Sequence, residues 1–321
     1  CQNKGMSFAS AKVLWGKMEY FSGYGFSKNH AIPYSIISYQ CAWLQTYYQD
    51  EWISSFLDHE PDKRKEAAIN IARSFGYEVA PLDINTSGTA WEVRCGKLIP
   101  PLTTIKGLGD AAIEEILLKR PFSSPEDLLF DKGVVARKVN KKSLDAMCRA
   151  GAMESLMDDR FFGDKHFWSA VVVDKPKNKK KLGENIEKYK DEGTFSKSER
   201  INHLQALTGI YPINMVVPVK AYRFFESHGI LPLSEYDPEL GKGWCIPTEV
   251  TTRKTKGGKP YYQVVVIDSN MKTQRINCWG VDPNKDFIYT HKMYVLEWPQ
   301  HNATWGFSTR GGLSRNWKLL G

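Results

Sequence analysis

Two patterns of apolar positions divide the chain into a helical part and a β part. Apolar residues recur at helical spacing over residues 7–21 and 31–57, and the second run predicts a mostly buried helix. Further helices are predicted over 62–75, 110–120 and 141–150, and from Ser196 onward. From Trp244 the period changes to two, and short strands follow one another to the end of the sequence.

Turn residues refine the prediction for the β part. The segments "WCIPTEVTTRKT" and "PYYQVVVIDS" flank Lys256-Gly257-Gly258, which is typical of a hairpin turn. A smaller hairpin is predicted around Cys95-Gly96. Five short strands after Trp244, rich in aromatic residues and lysine, favour a small barrel of the OB type. The predicted fold class is multidomain α+β, with a mostly α-helical N-terminal half and an all-β, OB-like C-terminal barrel.

Residues 174–200 have a different composition from their neighbours. They hold nine lysines and arginines, six acidic residues and few large apolar side chains. This composition favours a solvated linker or a partly helical arm. Four lysines among residues 177–181 could touch phosphates, although such charge runs are usually only solvated.

Composition bounds the class of protein. The 321 residues are 42% hydrophobic and 25% charged, which is ordinary for a globular protein of two or three domains. No run of eighteen apolar residues occurs, so no membrane helix is expected. The six cysteines form no CxxC pair, which disfavours a zinc site or a disulfide scaffold and favours a reducing cytoplasm.

The net charge of +8 is concentrated at one end of the chain. From Thr251 onward there are eleven basic and four acidic residues, so this stretch carries +7. A basic domain attached to neutral ones suggests a polyanion partner, although a merely basic surface remains the alternative. Aromatic rings among basic residues suit single-stranded DNA. The candidate residues are Arg253, Lys254, Lys256, Lys259, Tyr261 and Arg275; of the pair Tyr261 and Tyr262, one is expected to be exposed.

The segment "LTTIKGLGDAAIEEIL" places two glycines at the mouth of a predicted helix. The first N–H groups of a helix lack internal partners, and glycines let such groups converge on one anion. Lys106, Gly107 and Gly109 therefore predict a cradle for one phosphate of a nucleic-acid backbone, without base reading. A plain turn between helices is the alternative.

A second turn before a helix follows about thirty residues later. The segment "RKVNKKSLDAM" carries Lys138, Lys141 and Lys142 but lacks the glycines. Two basic helix–turn–helix units in tandem resemble a helix–hairpin–helix pair that grips the backbone of a duplex. Only the first unit is expected to cradle a phosphate well.

One segment near the start resembles a known family closely. The stretch "FSGYGFSKNHAIPYSIISYQCAWLQTYY" is similar to the end of the fingers domain of C-family replicative polymerases, the bacterial DNA polymerase III α subunits. That family shows Gly-Tyr-x-Phe-x-Lys-x-His before a long helix with Ser-Tyr-Gln and Trp-Leu. The segments "VAPLDIN", "IKGLG", "RKVNKKSLDAMCRAGAMESL" and "LTGIYPI" follow in the family's order.

The resemblance implies roles for the first segment and an organisation for the whole chain. Tyr24, Lys28 and His30 would lie over the incoming nucleotide, where a lysine and a histidine can donate to the triphosphate. The implied domains are the end of the fingers (1–100), the tandem hairpins (101–160), a charged linker (161–200), a connecting helical segment (201–242) and the OB-like domain (243–321).

The resemblance also implies what this sequence lacks. The family's chemistry uses three palm aspartates that hold two Mg²⁺ ions, and no Asp-x-Asp in a strand context occurs here. The expected chain is therefore the C-terminal part of a polymerase, with no catalytic or metal-binding residue of its own and inactive alone. Its expected partners are primer–template and single-stranded DNA, a deoxynucleoside triphosphate and the palm-containing part. No clear copy of the family's clamp-binding peptide occurs in residues 160–200.

Two other functions remain open on the sequence alone. A stand-alone DNA-binding accessory protein would use the same helix–hairpin–helix and OB modules without a polymerase partner. An RNA-binding OB protein would use the same barrel face for a different strand. Polymerase activity on a primed template after adding the palm-containing part would exclude the accessory protein. Comparing the affinities for single-stranded DNA and RNA of equal sequence would test the RNA-binding alternative.

Overall fold

The computed structural model describes residues 4–22, 28–61, 64–302 and 306–320, without the side chains of Phe21, Lys28 and Val219. The chain divides into two compact units, Cys1–Ile53 and Ser54–Gly321. Two long helices form most of the first unit: α1 (Phe8–Ser22) and α2 (Lys28–Tyr47). The helix α3 (Gln49–His59) follows.

The long helix predicted over 31–57 differs from the structure in two respects. It is divided between α2 and α3, and most apolar side chains of α2 are exposed rather than buried. Ile36, Ile37, Trp43 and Leu44 are each more than 40% exposed. The apolar spacing does produce a helix, but burial also requires a covering layer, which the sequence pattern of one helix does not specify.

A small sheet connects the start of the second unit to the first predicted hairpin of the tandem. The helix α4 (Lys65–Ser74) precedes three short strands: β1 (Glu78–Val79), β2 (Glu92–Arg94) and β3 (Lys97–Ile99). Strand β3 pairs with β2 in antiparallel fashion and with β1 in parallel. Cys95 and Gly96 take φ values of 51° and 74° between β2 and β3, which confirms the predicted hairpin.

The helical core forms around the two hairpin units. It contains α5 (Asp110–Lys119), a π-helical turn (Asp127–Asp131) and α6 (Lys141–Arg149). The next elements are α7 (Asp164–Trp168), a second π-helical turn (Ser169–Val173) and α8 (Lys179–Lys188). One cluster of buried apolar side chains runs through all of them, including Leu108, Ile116, Leu144, Phe167 and Leu182.

The packing of residues 161–200 differs from the predicted charged linker. Phe167, Val171 and Leu182 are almost fully buried in the core of the hairpin units. His166 and Asn185 are also fully buried and hydrogen-bonded, since His166 Nε2 lies 2.8 Å from Ile186 O and Asn185 Nδ2 lies 3.1 Å from Ala170 O. The lysines form the exposed side of these helices, so the segment extends the hairpin domain rather than separating it from the β part.

Three helices lead from the hairpin domain to the β part. They are α9 (Lys197–Thr208), α10 (Ile213–Val216) and α11 (Val219–Ser227). Helix α9 begins with a capping box, in which Ser196 Oγ accepts from Glu199 N and Glu199 Oε2 accepts from Ser196 N. Gly209 ends it with φ of 73°, the left-handed conformation that favours glycine.

The C-terminal sheet is curled and has the strand order of an OB-type barrel. Its strands are β4 (Leu231–Pro232), β5 (Lys242–Lys254), β6 (Pro260–Ile267), β7 (Gln274–Trp279), β8 (Tyr294–Glu297), β9 (Gln300–Asn302), β10 (Gly306–Arg310) and β11 (Trp317–Leu319), with the helix α12 (Leu313–Asn316) before the last. The long strand β5 pairs with both β6 and β8, and β10 pairs with β7 in parallel. The sheet order is β11-β8-β5-β6-β7-β10-β9, with the short strand β4 also on β5.

Two features produce the curvature of this sheet. Strand β5 has an irregular register between Pro247 and Glu249, which bends it so that its two halves join different neighbours. Strand β8 is next to one end of the sheet order and β9 is at the other end, but only two residues separate them in the chain. The predicted class, a helical part followed by an OB-like β domain, is confirmed.

The β domain packs on α9–α11 through a cluster of apolar side chains and one polar contact. Trp244 is 1% exposed, and its ring stacks on Phe225 with centroids 4.8 Å apart. His291 is also buried, with Nδ1 3.0 Å from Tyr211 Oη and Nε2 3.0 Å from Asn202 Oδ1. Burial lowers the pKa of His291, which favours the neutral ring that can accept from the tyrosine and donate to the asparagine.

Candidate nucleic-acid interface

The first hairpin has the backbone geometry that a phosphate cradle needs. Gly107 takes φ of +91°, and Gly109, at φ −83°, is the N-cap of α5. Between them Leu108 is buried in the core, while both glycines are exposed. The buried leucine fixes the turn, and the glycines leave the first N–H groups of a ten-residue helix open to an anion.

Two lysines stand beside this turn. Lys106 donates its backbone N–H to Leu207 O at 2.7 Å, so the hairpin is anchored to α9. Its side chain runs along the end of the same helix, since a Cβ on Gly209 would lie 3.8 Å from Lys106 Nζ. The stem of Lys142, from the second hairpin unit, passes Gly107, where a Cβ would meet Lys142 Cε at 3.4 Å. The fold therefore brings Lys106, Gly107, Gly109 and Lys142 together.

The other two predicted lysines have partners within the protein. Lys138 Nζ lies 3.0 Å from Glu115 Oε2, and this hydrogen bond lowers the pKa of the Glu115 carboxyl. Lys141 donates from Nζ to Val173 O at 2.6 Å. Both lysines are exposed along their stems, but each head group is used to tie the second hairpin unit to a neighbouring element.

A groove on the outer face of the β domain forms a second candidate site. It lies across β6, β7, β9 and β10. Tyr261 on β6 stacks on Trp279 on β7, with centroids 4.4 Å apart and planes 29° apart. Further along the same strand pair, Gln263 Nε2 lies 3.4 Å from Asn277 Oδ1. An aromatic platform followed by side-chain amides can stack a base and hydrogen-bond to its edge.

The charged residues predicted for this domain lie on β5, on β7 and in the β5–β6 turn, and none of them lines that groove. Arg253 and Lys254 end β5, and Lys256 and Lys259 lie in the turn to β6; all four are exposed. Arg275 is exposed on β7, opposite Val265. Tyr262 is buried and Tyr261 is partly exposed, as the alternation of the strand predicts.

Several groove residues are not predicted by the sequence. Arg310 lies beside Trp279 because β10 pairs with β7 in parallel, and Gln300 lies beside Ser308 on the next strand. Arg310 and Trp279 are more than twenty residues apart in the chain. Gln300 and Ser308 are closer, but the alternation of apolar residues does not specify which strands pair. Trp279, by contrast, is one of the aromatic residues in the basic stretch after Thr251, and the alternation of β7 places it on the same face as Asn277.

The predicted nucleotide-binding residues lie in the first unit. Tyr24 is outside the described residues, as is the side chain of Lys28, whose backbone begins α2. His30 lies in the first turn of α2, exposed, with its ring 4.4 Å from that of Tyr34. Within the described parts of the chain, no cluster of histidine, cysteine and acidic side chains could hold a metal ion. No helix in the same parts is long and apolar enough to span a membrane.

The hairpin region matches a known structural motif. Residues 76–161 match the family described as the helix-hairpin-helix motif. These residues include both turns, both following helices and most of the buried core around them. The chain therefore contains a helix–hairpin–helix domain.

Comparison with curated proteins gives a more particular relationship. The DNA polymerase III subunit alpha of Thermus aquaticus is 34% identical over 164 residues, which cover 49% of this chain and 13% of that protein. The same subunit of Pseudomonas aeruginosa is 32% identical over 161 residues, 49% of this chain and 14% of that protein. That of Chlamydia pneumoniae is 29% identical over 302 residues, 86% of this chain and 24% of that protein. The resemblance to the polymerase III α family is confirmed.

Proposed function

We propose that this chain is the C-terminal, DNA-binding part of a replicative DNA-directed DNA polymerase. The observation that carries the proposal is the glycine hairpin of α5, with Lys106 and Lys142 beside it, in a chain related to polymerase III α subunits. The matched parts span only 13–24% of the length of these three relatives. The polymerase activity and the complete set of partners are therefore part of the proposal.

In this proposal the first hairpin holds one phosphate of duplex DNA. The open N–H groups at the start of α5 and the positive end of its dipole attract the anion. Lys106 and Lys142 add two charges without contacting bases, so binding should depend on salt and not on sequence. The tied head groups of Lys138 and Lys141 position the second unit and contribute less to the phosphate.

The two glycines offer a way to separate binding from folding. A Cβ on Gly109 meets no atom within 4 Å, and φ of −83° suits any residue, so Gly109→Ala should fold normally. We expect it to weaken duplex binding by about tenfold, since the methyl group enters the space of the phosphate and one contact is worth about 1–1.5 kcal/mol. Fluorescence anisotropy over a salt series should show a slope of log K against log salt reduced by about one unit.

The matched control is a glycine in an equally open site far from the hairpin. A Cβ on Gly183, in α8, also meets no atom within 4 Å, so Gly183→Ala should leave duplex affinity unchanged. Gly107→Ala is a poorer test, because φ of +91° strains any side chain whatever the ligand. If the Gly109→Ala protein folded and bound duplex DNA with unaltered affinity, the phosphate-binding proposal would be wrong and the motif would be only a turn between helices.

In the complete polymerase, the start of α2 is proposed to bind the incoming nucleotide. Lys28 and His30 would donate to the triphosphate, and Tyr24 would stack on the base or sugar. The reacting Mg²⁺ ions would be held by the palm-containing part, not by this chain. The β domain would hold the single-stranded template in its groove, with the basic β5–β6 turn along the phosphates.

The exposed apolar faces of α1 and α2 are consistent with a large missing partner. Trp15 and Met18 on α1 are exposed, as are Ile36 and Trp43 on α2. Apolar surface of this extent is usually covered in the functional protein. We propose that the palm-containing part of the polymerase covers it, since three quarters or more of each of these relatives lies outside the matched regions.

The nucleotide-binding proposal can be tested in a polymerase reconstituted with its palm. Lys28→Ala and His30→Ala should each lower kcat/KM for the nucleotide by about tenfold, equivalent to about 1.4 kcal/mol of transition-state stabilisation. Both KM and kcat should change, because a cation near the leaving pyrophosphate contributes more in the transition state. Steady-state kinetics on a primed template would measure this, with Lys4→Ala as a control outside the segment. Full nucleotide kinetics in the variants would contradict the proposal.

A further inference from the structure

An apolar groove lies beside the second hairpin unit and is used by neither proposed DNA site. It encloses about 460 Å³ between the π-helical turn Asp127–Asp131, the hairpin tip and residues 175–177. Leu129, Phe130 and Val134 line it with partly buried side chains. The volume is enough for one or two large apolar side chains.

The rim of this groove is positively charged. Lys175 and Lys177 both line it, and burial lowers the pKa of Lys175. The acidic groups nearby already have cations of their own. Asp131 Oδ2 accepts from Lys179 Nζ at 2.8 Å, and Asp127 lies 3.9 Å from Lys132. Lys175 and Lys177 are therefore in excess over the local acidic residues, and an occupant of negative charge complements them.

The character of the groove disfavours a phosphate backbone as its occupant. The tip of this hairpin is Gly133, Val134, Val135 and Ala136, which has a single glycine, at φ of 62°, and no counterpart of the Gly-Leu-Gly turn in the first unit. A DNA backbone is polar and carries no large apolar group to fill such a groove. Placing phosphates against its apolar lining would remove water from charged oxygens without giving them new hydrogen bonds. A peptide with a large apolar side chain next to carboxylates fits better, because the apolar group can pack on the apolar lining and the carboxylates can pair with the lysines of the rim.

We propose that the groove binds a short acidic peptide segment of a partner protein, with one or two large apolar side chains in the groove and carboxylates on Lys175 and Lys177. The second hairpin unit would then recruit a protein while the first holds the duplex. Such segments bind weakly one at a time, since ordering a flexible peptide has an entropic cost. The proposal is independent of the polymerase activity and requires only the fold of the hairpin domain.

A labelled synthetic peptide tests this directly on the full chain. The probe is a fluorescein-labelled decapeptide with a central Leu-Phe pair flanked by aspartates and glutamates. We expect saturable binding in fluorescence anisotropy, lost when the Leu-Phe pair is replaced by Ser-Ser or the acids by lysines. Lys177→Glu should weaken it at least tenfold, and Val134→Ser about fivefold.

Matched variants decide between the outcomes. Lys180→Glu makes the same charge change on an exposed residue of α8 outside the groove and should alter peptide binding less than twofold. Lys177 is exposed, so Lys177→Glu is expected to fold, and its thermal unfolding curve would be recorded together with that of Lys180→Glu. Peptide binding that is absent, or that is equally affected by both lysine variants, would overturn the proposal. Competition by duplex DNA gives a further criterion. If duplex DNA displaced the peptide from the wild-type protein but not from Lys177→Glu, the groove would be a site for the DNA backbone, and the proposal would be wrong.

Discussion

Replacing both Tyr261 and Trp279 by alanine should weaken single-strand binding by about 10²-fold or more. The two rings form one stacked platform on adjacent strands, and each base stacked on an aromatic ring contributes about 1–3 kcal/mol. Each single variant should lose part of this, and the two losses should not add, because each ring orients the other across the strand pair. Anisotropy with a labelled oligothymidine at fixed salt measures the effect.

A matched control lies in the same domain. Phe287 is a 60% exposed aromatic residue in the loop before β8, outside the groove, so Phe287→Ala should leave the affinity unchanged. The salt dependence provides a second criterion, since the ring variants remove stacking and keep the charges of the β5–β6 turn. Their slope of log K against log salt should therefore stay the same while the affinity falls. A lower salt slope in the ring variants, or an equal loss of affinity in Phe287→Ala, would show that the single-stranded DNA binds elsewhere.

Removing the side chain of Trp244 should produce the largest loss of stability. Trp244 is 1% exposed, stacked on Phe225 at 4.8 Å and in edge contact with Tyr222 at 5.9 Å. Truncating a buried tryptophan to alanine costs about 3–5 kcal/mol, because the cavity it leaves is only partly refilled. Trp244 holds the β domain against α11, so urea unfolding followed by circular dichroism should separate into an early and a late transition.

Two companion variants give this prediction its contrast. Trp244→Phe keeps a ring against Phe225 and should lose about half as much stability or less. Trp298, between β8 and β9, is 64% exposed. Trp298→Leu therefore removes a ring that is mostly in solvent, and it should lower the free energy of unfolding by less than about 1 kcal/mol. If Trp244→Ala unfolded in one transition at the wild-type urea midpoint, the aromatic stack would not be the contact that joins the two parts.

Local patterns in the sequence predict much of this fold. The hairpin at Lys256-Gly257-Gly258 follows from glycine in a short turn between alternating strands, and pairing of Arg253 with Tyr261 confirms its register. The start of α5 follows from Gly109, and the start of α9 from the capping box of Ser196. Each of these signals lies within a few residues, so no tertiary information is needed.

The compact packing of residues 161–200 could not be predicted in this way. Only a few apolar side chains of α8 face the core, including Leu182 and Ile186, and the lysines around them dominate the composition. A charge count cannot distinguish a solvated arm from the outer helix of a domain, because both expose their charged residues. The deciding interactions, such as Asn185 donating to Ala170 O, join residues that are distant in sequence.

The candidate sites were predictable in part, and for the same reason. Strand alternation alone is enough to separate an exposed Tyr261 from a buried Tyr262. By contrast, the ion pair of Lys138 with Glu115 and the passage of Lys142 along Gly107 depend on how the two hairpin units pack against each other. The sequence therefore identifies the basic and glycine positions suited to a phosphate, but not which lysine is close to the cradle.

Helix α9 fixes the spacing between the glycine hairpin and the β domain. Near its C-terminal end, Leu207 accepts a hydrogen bond from Lys106 N; near its middle, Asn202 contacts His291 of the β domain. These two contacts are five residues apart, which at 1.5 Å each gives about 7.5 Å, close to two base pairs at 3.4 Å. Because a helix neither stretches nor compresses easily, α9 would act, in the proposed function, as a molecular ruler between duplex and single strand. Inserting one turn between Asn202 and Leu207 would increase that spacing by about 5.4 Å.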